Sequence, residues 1–304
     1  MSNYYTLGAE LPDLAVDDPK LDMTTEEFVN ELRAQATPRD RRLIDLVLLR
    51  GDNRNLIALL RDKELPEEFM PTAIPVERLR ELVESTREWI ESGKDDLTRK
   101  RWKDIPDYLV NFTEEYLSGK WEESPHFPED ILHGAYMDYA ARNANAFLTH
   151  WFKVNQYILN ILAAVTAKKY DLDTKKYLVG ESELVQTLRS GVWSELTILD
   201  DADIIADIMK IGEEIDLVHR ERRIDEFKWK LLDRLTFADP FSIDAMLAYL
   251  LRLQILQRWT ELDRERGIKR FKELIAELSK QGKEKLKEFM DHTQKQKRSP
   301  VLKQ

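Results

Sequence analysis

The chain has 304 residues, of which 42% are hydrophobic and 34% charged, with only 10 glycines and 11 prolines. This mixture favours an all-helical protein with a large core over a β-sandwich or an alternating strand–helix fold. Because the chain has no cysteine, a disulfide framework, a thiolate zinc site and a cysteine nucleophile are all excluded.

Charge is distributed unevenly along the chain. Residues 264–304 carry 13 Lys and Arg against 6 Asp and Glu, a net charge of +7, whereas the remainder carries 34 against 51, a net charge of −17. The acidic body argues against a nucleic-acid-binding surface. The basic tail is either a contact for an acidic partner or anionic lipid, or a solvated terminus, and the second interpretation is favoured.

The first residues, MSNYYTLGAELPDL, lack the basic region and apolar run of a signal peptide. We therefore expect a cytoplasmic protein. Within this segment, aromatic and small residues precede a Leu-Pro pair, which predicts a short extended N-terminal arm packed on the helices.

Capping signals divide the following part of the chain into helices. Thr24 followed by acidic residues starts one helix, and Thr37 followed by proline starts another. Gly51 is expected to end this second helix, and Asp52 to cap a short third one.

The segment 128–170 has helical periodicity throughout, with apolar residues at steps of three or four. After Gly134 it contains no proline or glycine until Gly180. We predict a single helix of roughly 40 residues, about 60 Å long at about 1.5 Å per residue. Within residues 157–167 nearly every face is apolar, which indicates burial on all sides.

The second half of the chain is also predicted to be helical. Residues 182–211 predict two or three short helices, and residues 216–235 predict a longer charged one. Pro240 opens a second strongly apolar helix, and a basic amphipathic helix begins at Arg264.

Two segments are similar to each other. Residues 55–63 and 160–168 align without a gap, 105 positions apart, and each begins with Asn and ends with Lys. Residues 254–262 are a weaker third copy. The match indicates either three related units or the general similarity of amphipathic helices. The prediction is one all-helical domain, 1–304, with approximate internal units 1–125, 126–215 and 216–304.

The pattern Asp-x-x-Asn-Leu-x-x-Leu-Leu-Arg-x-Lys at residues 52–63, followed by the second copy, resembles the C-type (also called d-type) subunits of V-type ATPases. Residues 4–13 are closer still to a bacterial family of uncharacterised proteins encoded with V-type ATPase subunits. Residues 40–63, 151–180 and 240–275 also resemble that family. Residues 126–149 and 182–235 have no counterpart in ordinary C-type subunits.

The resemblance implies an all-α fold like that of the C-type subunits, with three pseudo-repeated helical units that form a funnel. It implies a non-catalytic central-stalk subunit that couples the rotor shaft to the membrane ring transporting protons or sodium ions. The implied partners are the rotor-shaft subunits and the membrane rotor ring, with no cofactor and no transmembrane segment. The implied location is peripheral, on the inner face of the cell membrane. The alternative is a free-standing helical scaffold or adaptor.

The chain carries few signals of chemistry. There is no glycine-rich phosphate loop, nucleophile elbow or His-Glu-x-x-His zinc motif. Asp130 and His133, and Asp216 and His219, are each three positions apart, a spacing that builds di-iron carboxylate enzymes on facing helices. Such sites normally use Glu in both pairs, so helix-capping or surface roles are favoured for these acids.

Basic and aromatic residues near the end of the apolar helix suggest a partner contact. Arg252, Arg258, Trp259 and Arg264 could form one patch, because Arg and Trp are favoured at interfaces. Core packing is the favoured alternative for the tryptophan.

Overall fold

A computed structural model describes residues 4–16, 21–65, 70–92, 102–123 and 126–261. Within these ranges the chain is all-helical, as predicted, and contains no strand. Its α-helices there are α1 (Tyr5–Glu10), α2 (Thr25–Gln35), α3 (Pro38–Leu60), α4 (Val76–Ser92), α5 (Asp107–Leu117), α6 (Pro128–Asn143), α7 (Ala146–Lys169), α8 (Glu183–Ser190), α9 (Ala202–Gly212), α10 (Leu217–Thr236) and α11 (Ile243–Glu261). Short 3-10 helices lie at Lys120–Glu123, Thr174–Lys176 and Trp193–Ile198.

Helices begin where capping side chains satisfy free backbone N–H groups. The Thr24 hydroxyl accepts a hydrogen bond from the N–H of Glu27 (3.2 Å), and the Glu27 carboxylate accepts one from the N–H of Thr24 (2.8 Å). This reciprocal capping box starts α2. Thr37 caps α3 in the predicted position, and Asp216 caps α10 by accepting from the N–H of His219 (2.7 Å).

The prediction of one helix over residues 128–170 is wrong. The chain leaves the helical conformation after α6, and α7 begins at a new cap, where the Asn145 side chain accepts from the N–H of Leu148 (3.0 Å). The two helices pack on each other, with the rings of Tyr136 and Phe152 at 5.5 Å. The apolar period continues across the break because both helices face the same core, so periodicity alone conceals it.

The predicted end of a helix at Gly51 is also wrong, because α3 continues through this glycine to Leu60. The next residue, Asp52, is fully buried and caps no helix. Its carboxylate oxygens instead accept hydrogen bonds from the backbone N–H groups of Ala73 (2.9 Å) and Ile74 (3.1 Å). A side chain from the middle of α3 therefore holds the loop that leads into α4.

We expect Gly51→Ala to destabilise the protein, although alanine is the better helix former by about 1 kcal/mol. A Cβ atom at this position would lie 2.7 Å from the carbonyl oxygen of Pro71, so backbone would have to move. The expected loss is about 1–3 kcal/mol in the free energy of unfolding measured with urea. The control is Gly212→Ala, whose Cβ would meet side chains at an ordinary 3.4 Å. If Gly51→Ala stabilised the protein, the approach of this loop to α3 would not be tight.

The N-terminal segment packs on the helices as expected but is not an extended arm. Residues Tyr5–Glu10 form the short helix α1, and the chain is non-helical from Leu11 onward, before a proline. Tyr4 is buried, its N–H donates to the carbonyl of Phe241 (3.0 Å), and its hydroxyl donates to Asp40 (2.8 Å). Residues Tyr5–Glu10 therefore adopt a helical conformation, although aromatic residues favour an extended one.

The two ends of the described chain lie together. Helix α11 packs on α2, where Thr25 donates a hydrogen bond to Gln257 (2.5 Å) and the rings of Phe28 and Tyr249 are 4.8 Å apart. Helix α3 packs on α6, and α10 on α11. One hydrophobic cluster extends from α1 to α11.

Across the described ranges, no helix combines the length and the apolar character needed to cross a bilayer. Helix α7 is long and buried over much of its length, but its apolar faces pack against neighbouring helices.

Candidate functional site

The predicted partner-contact residues of α11 are bound to α10. The carboxylate of Asp225 is 2% exposed and accepts hydrogen bonds from the Arg258 guanidinium and from the indole N–H of Trp259 (2.6 Å). One turn earlier on α10, Glu221 accepts a second hydrogen bond from Arg258 (3.1 Å). The Arg222 guanidinium lies 5.3 Å from the centre of the Trp259 ring. These contacts hold α11 against α10.

Arg258 keeps its charge in this position. Burial would lower its pKa, but the negative charges of Asp225 and Glu221 outweigh burial and raise the pKa instead. The guanidinium therefore bridges two carboxylates as a permanent cation.

The structure places the other two predicted contact residues apart from this cluster. Arg252 pairs with Asp233 (2.5 Å), also on α10, and its guanidinium lies 5.4 Å from the Trp229 ring. Arg264 lies outside the described residues. A contact of Arg252, Arg258 and Trp259 with a partner remains a prediction, and it would use only the surface that α10 leaves open.

Three further basic side chains lie in the same region as Arg258, although no sequence pattern groups them. They are Arg50 from α3, His133 from α6 and Lys228 from α10. The charge of Arg50 lowers the pKa of both His133 and Lys228, and the charge of Lys228 lowers that of His133. The Lys228 ammonium also lies 6.0 Å from the centre of the Trp151 ring on α7. Three helices thus contribute to what is called here the cationic cluster, defined as Arg50, His133 and Lys228.

The ionisation of this cluster reflects crowding of positive charge. Burial, together with repulsion from Arg50 and Arg258, lowers the pKa of Lys228 to about 8, and the charges of Asp225 and Glu221 oppose this shift. Burial and the charges of Arg50 and Lys228 lower the pKa of His133 to about 4, so this imidazole is neutral at pH 7. Desolvation by the surrounding protein and the charge of Arg258 also lower the pKa of Arg50, although part of its side chain stays exposed.

Asp225 acts on the cluster through space, because its negative charge raises the pKa of both Arg50 and Lys228. Among the residues that the structure describes, Arg50 and Lys228 form no hydrogen bond and no ion pair with an acidic side chain. Water reaches the cluster, because Arg50 is partly open to solvent and Lys228 is only half-buried.

The four residues of the alternative di-iron arrangement, Asp130, His133, Asp216 and His219, are not placed together to hold a metal ion. Asp216 is occupied as the cap of α10, and His219 faces Glu214, with 2.8 Å between Nδ1 and Oε2. His133 faces the cations Arg50 and Lys228 instead of carboxylates. Over the described ranges, no group of three or more His, Asp and Glu side chains is placed to hold a metal ion.

A concave surface lies beside α6, where Ile131 lines it. A cavity of about 340 Å³ is lined by residues of α5, the 3-10 turn after it, α6 and the loop before α8. Its polar lining includes His126 and the Glu181–Arg189 ion pair (2.8 Å). Burial and the charge of Arg189 lower the pKa of His126. The cavity has no pair of groups arranged for acid–base or nucleophilic chemistry among these lining residues.

Comparison with known proteins gave one family. A family model described as "Protein of unknown function (DUF2764)" matches residues 1–282. No curated protein and no solved structure matches the chain.

Proposed function

Because the chain belongs to the DUF2764 family, whose description assigns no activity, we propose its function from its resemblance to the C-type subunits of V-type ATPases: a non-catalytic central-stalk subunit of a rotary V-type ATPase. In this role it is a socket that couples the rotor shaft to the membrane ring that transports protons or sodium ions. It binds peripherally at the inner face of the cell membrane. The observation that carries the proposal is a structural correspondence between α3 and α7, in addition to the sequence resemblance.

The two helices end in the same way. After α3, the N–H of Asp62 donates to the carbonyl of Leu59 and the N–H of Lys63 to that of Ala58. Asp62 itself has a positive φ of 53°. This is the hydrogen-bond pattern of a Schellman motif with an aspartate in the left-handed conformation.

After α7 the pattern recurs. The N–H of Asp171 donates to the carbonyl of Lys168, the N–H of Leu172 to that of Ala167, and Asp171 has a φ of 52°. A positive φ is uncommon for a residue other than glycine. Its occurrence at the end of both long helices therefore supports a common origin of the two units.

Each helix also anchors the loop that follows it. The buried Asp52 accepts from Ala73 and Ile74, which precede α4. The fully buried Asn160 accepts from the N–H of Val179 (2.8 Å) and donates to its carbonyl (3.0 Å), before α8 begins. The same order of elements therefore occurs twice, once from α3 and once from α7. In each case a long helix is followed by a Schellman turn, a loop held by a buried side chain of that helix, and the next helix.

The sequence match between residues 55–63 and 160–168 differs slightly from this correspondence. It pairs positions 105 apart, whereas the two left-handed aspartates, Asp62 and Asp171, are 109 apart. The difference of four residues is about one helical turn, so the same face of each helix is compared. The third copy, residues 254–262, ends outside the described residues.

The arrangement of helix pairs is in keeping with three units. The pairs α2–α3, α6–α7 and α10–α11 fall one in each predicted unit, and the third packs back on the first through α11 and α2. A continuous, close-packed core deforms little under load, and that is what a torque-transmitting subunit requires.

Affinity purification tests the proposal. The full chain, tagged at its C-terminus, is expressed in the organism that makes it, and membranes are solubilised in mild detergent. We expect the rotor-shaft and ring subunits of a V-type ATPase to be recovered with it, as quantified by mass spectrometry, and to be absent when an unrelated tagged helical protein is used. Recovery of the chain without ATPase subunits would contradict the proposal and favour a free-standing scaffold.

A further inference from the structure

We propose that the C-terminal end of α7 is a contact site for a membrane surface that carries anionic lipid head groups. The site comprises residues 168–177 and is called here the α7 tip. It goes beyond the proposed coupling role, because contact with lipid requires no ATPase subunit. Two features point to such a surface, namely exposed apolar side chains and a local excess of lysine.

The α7 tip presents apolar side chains to solvent. Tyr170 is 64% exposed, Tyr177 is 42% exposed and Leu172 is 39% exposed. These are three of the ten large hydrophobic side chains that are exposed over the described ranges. Single exposed hydrophobic residues are normal on a protein surface, whereas a group of them marks an interaction site.

The α7 tip is held in place at both of its ends. At its start, the N–H of Leu172 donates to a carbonyl of α7 (2.8 Å). Directly after it, Val179 is bound to the buried Asn160 through both its N–H and its carbonyl. Between these points, Asp173 caps a short 3-10 helix by accepting from the N–H of Lys175 (3.2 Å). The exposure of the two tyrosines is therefore set by a hydrogen-bonded backbone.

Lysines accompany these apolar side chains. The α7 tip has a net charge of +2 in a protein of net charge −10, because its two aspartates are outnumbered by four exposed lysines, Lys168, Lys169, Lys175 and Lys176. The Lys168 ammonium lies 4.6 Å from the centre of the Trp193 ring, and the Lys169 ammonium lies 5.9 Å from that of Tyr170. Such a side chain can cover apolar surface with its stem while its charge stays in water.

This combination of side chains fits an anionic membrane surface. Tyrosine is enriched at membrane interfaces, where its ring lies among apolar groups and its hydroxyl stays hydrated. Lysine near the surface is attracted by the negative potential of anionic lipids. An acidic protein would need carboxylates in a matching arrangement, whereas flexible lysine side chains suit head groups that move laterally.

The opposite end of α7 provides a contrast. There Asn145, the cap of α7, donates to Asp244 (2.6 Å), and Phe237 in the segment before α11 is 89% exposed. Residues 233–244 carry three aspartates and one arginine, a net charge of −2. Because α7 has 24 residues, the two ends are about 36 Å apart at about 1.5 Å per residue. Both ends expose aromatic rings, but only the α7 tip has the charge that an anionic membrane attracts.

Sedimentation with protein-free vesicles tests the proposal. The full chain is mixed with vesicles of phosphatidylcholine alone, or of phosphatidylcholine and phosphatidylglycerol in equal parts, at physiological ionic strength. We expect saturable binding to the mixed vesicles only. Lys169→Gln combined with Lys175→Gln should weaken this binding by about tenfold or more, because two charges near the lipid are lost.

The matched control removes two positive charges near the opposite end of α7. Arg39→Gln combined with Arg42→Gln changes two exposed arginines at the start of α3, where Asp40 accepts from Tyr4 and Tyr4 is bound to Phe241. This variant should bind much as the wild type does, because charges far from the lipid are screened by salt. Equal weakening in the two variants, both folded by circular dichroism, would contradict the proposal.

A fluorescent label identifies the surface that touches lipid. Because the chain has no cysteine, Tyr177→Cys can be labelled at a single site with a polarity-sensitive dye. On mixed vesicles the dye emission should increase and shift to shorter wavelength. The same dye at Phe237→Cys should show no change, although Phe237 is the more exposed of the two residues.

Three further results would overturn the proposal. Absence of vesicle binding would favour an acidic protein as the partner, and equal binding to both kinds of vesicle would exclude a role for the lysines. Vesicle binding with an unchanged label at position 177 would assign the contact to another surface, such as the basic residues 264–304. None of these results bears on the coupling role, which is tested by recovery of ATPase subunits.

Discussion

Asp52→Ala is expected to lower the free energy of unfolding by about 2–5 kcal/mol, because it leaves the N–H groups of Ala73 and Ile74 without their acceptors. Ile74 is itself buried, so water does not readily replace the carboxylate there. Each buried donor left without a partner costs about 1–3 kcal/mol. Urea unfolding at pH 7, followed by circular dichroism, measures the loss.

The stability supplied by this carboxyl should also depend on pH. Burial raises the pKa of Asp52 to about 7, although the hydrogen bonds from Ala73 and Ile74 oppose the shift. A carboxyl whose pKa is raised by folding favours the folded state below its unfolded pKa of about 4, and this contribution is lost as the pH rises through about 7. We therefore expect wild type to lose stability between about pH 4 and 7 more steeply than Asp52→Asn does.

Asp62→Asn, in the turn that directly follows the same helix, is the matched control. Asp62 is exposed, and asparagine tolerates its left-handed conformation, so the change in unfolding free energy should stay within about 0.5 kcal/mol. Equal stability of Asp52→Ala and Asp62→Asn would show that the loop before α4 does not depend on the buried carboxyl.

The second large effect is expected for Asn160→Ala. The side chain of Asn160 satisfies both the N–H and the carbonyl of Val179 and donates to the carbonyl of Gln156 (3.0 Å). Its removal leaves the two Val179 groups without partners and opens a cavity in a fully buried site. We expect a loss of about 2–5 kcal/mol in the same unfolding measurement.

Asn143→Ala provides the comparison. Asn143 also donates its amide to a backbone carbonyl one turn earlier, Tyr139 (2.8 Å), but it is exposed at the end of α6. Its replacement should change the unfolding free energy by no more than about 0.5 kcal/mol. If Asn160→Ala were as stable as Asn143→Ala, the loop before α8 would be held by other contacts. Because the Asn160 side chain does not titrate, its loss should be independent of pH, in contrast to that of Asp52.

Local signals in the sequence are sufficient for the fold class and for many helix starts. Helices are capped by contacts within three residues at Thr24, Thr37 and Asp216. Contacts this local can be predicted from a short segment of sequence. Asn145 is a cap of the same kind. It is not recognised as a helix start because the apolar residues continue with helical spacing through both α6 and α7. The helix at residues 5–10 is missed for a related reason, since aromatic residues there suggest an extended chain.

Features that depend on distant residues cannot be read from the sequence. Gly51 allows the backbone near Pro71 to approach α3, and Asp52 binds a loop more than twenty residues away. A glycine and an aspartate in succession have the same local pattern as a helix end and a new cap, so only tertiary contacts distinguish the two.

The cationic cluster illustrates the same limit. Arg50, His133 and Lys228 come from three helices that are far apart in sequence, and none of them belongs to a motif. In the sequence, Arg258 and Trp259 can be recognised as a basic aromatic patch. Their partner on α10 cannot be recognised, because the buried Asp225 is a single acidic residue within a run of charged residues. In the structure, Arg258 and Trp259 of the predicted partner contact bind α10 and so connect α10 with α11.

The proposed coupling role is tested most directly by a cryo-electron microscopy reconstruction of the V-type ATPase purified from the organism that makes this chain. We expect one copy of the chain between the foot of the rotor shaft and the membrane ring, with the α3 and α7 units occupying equivalent positions around the shaft axis. A complete rotor in which that position is filled by another protein, with no density for this chain, would contradict the account.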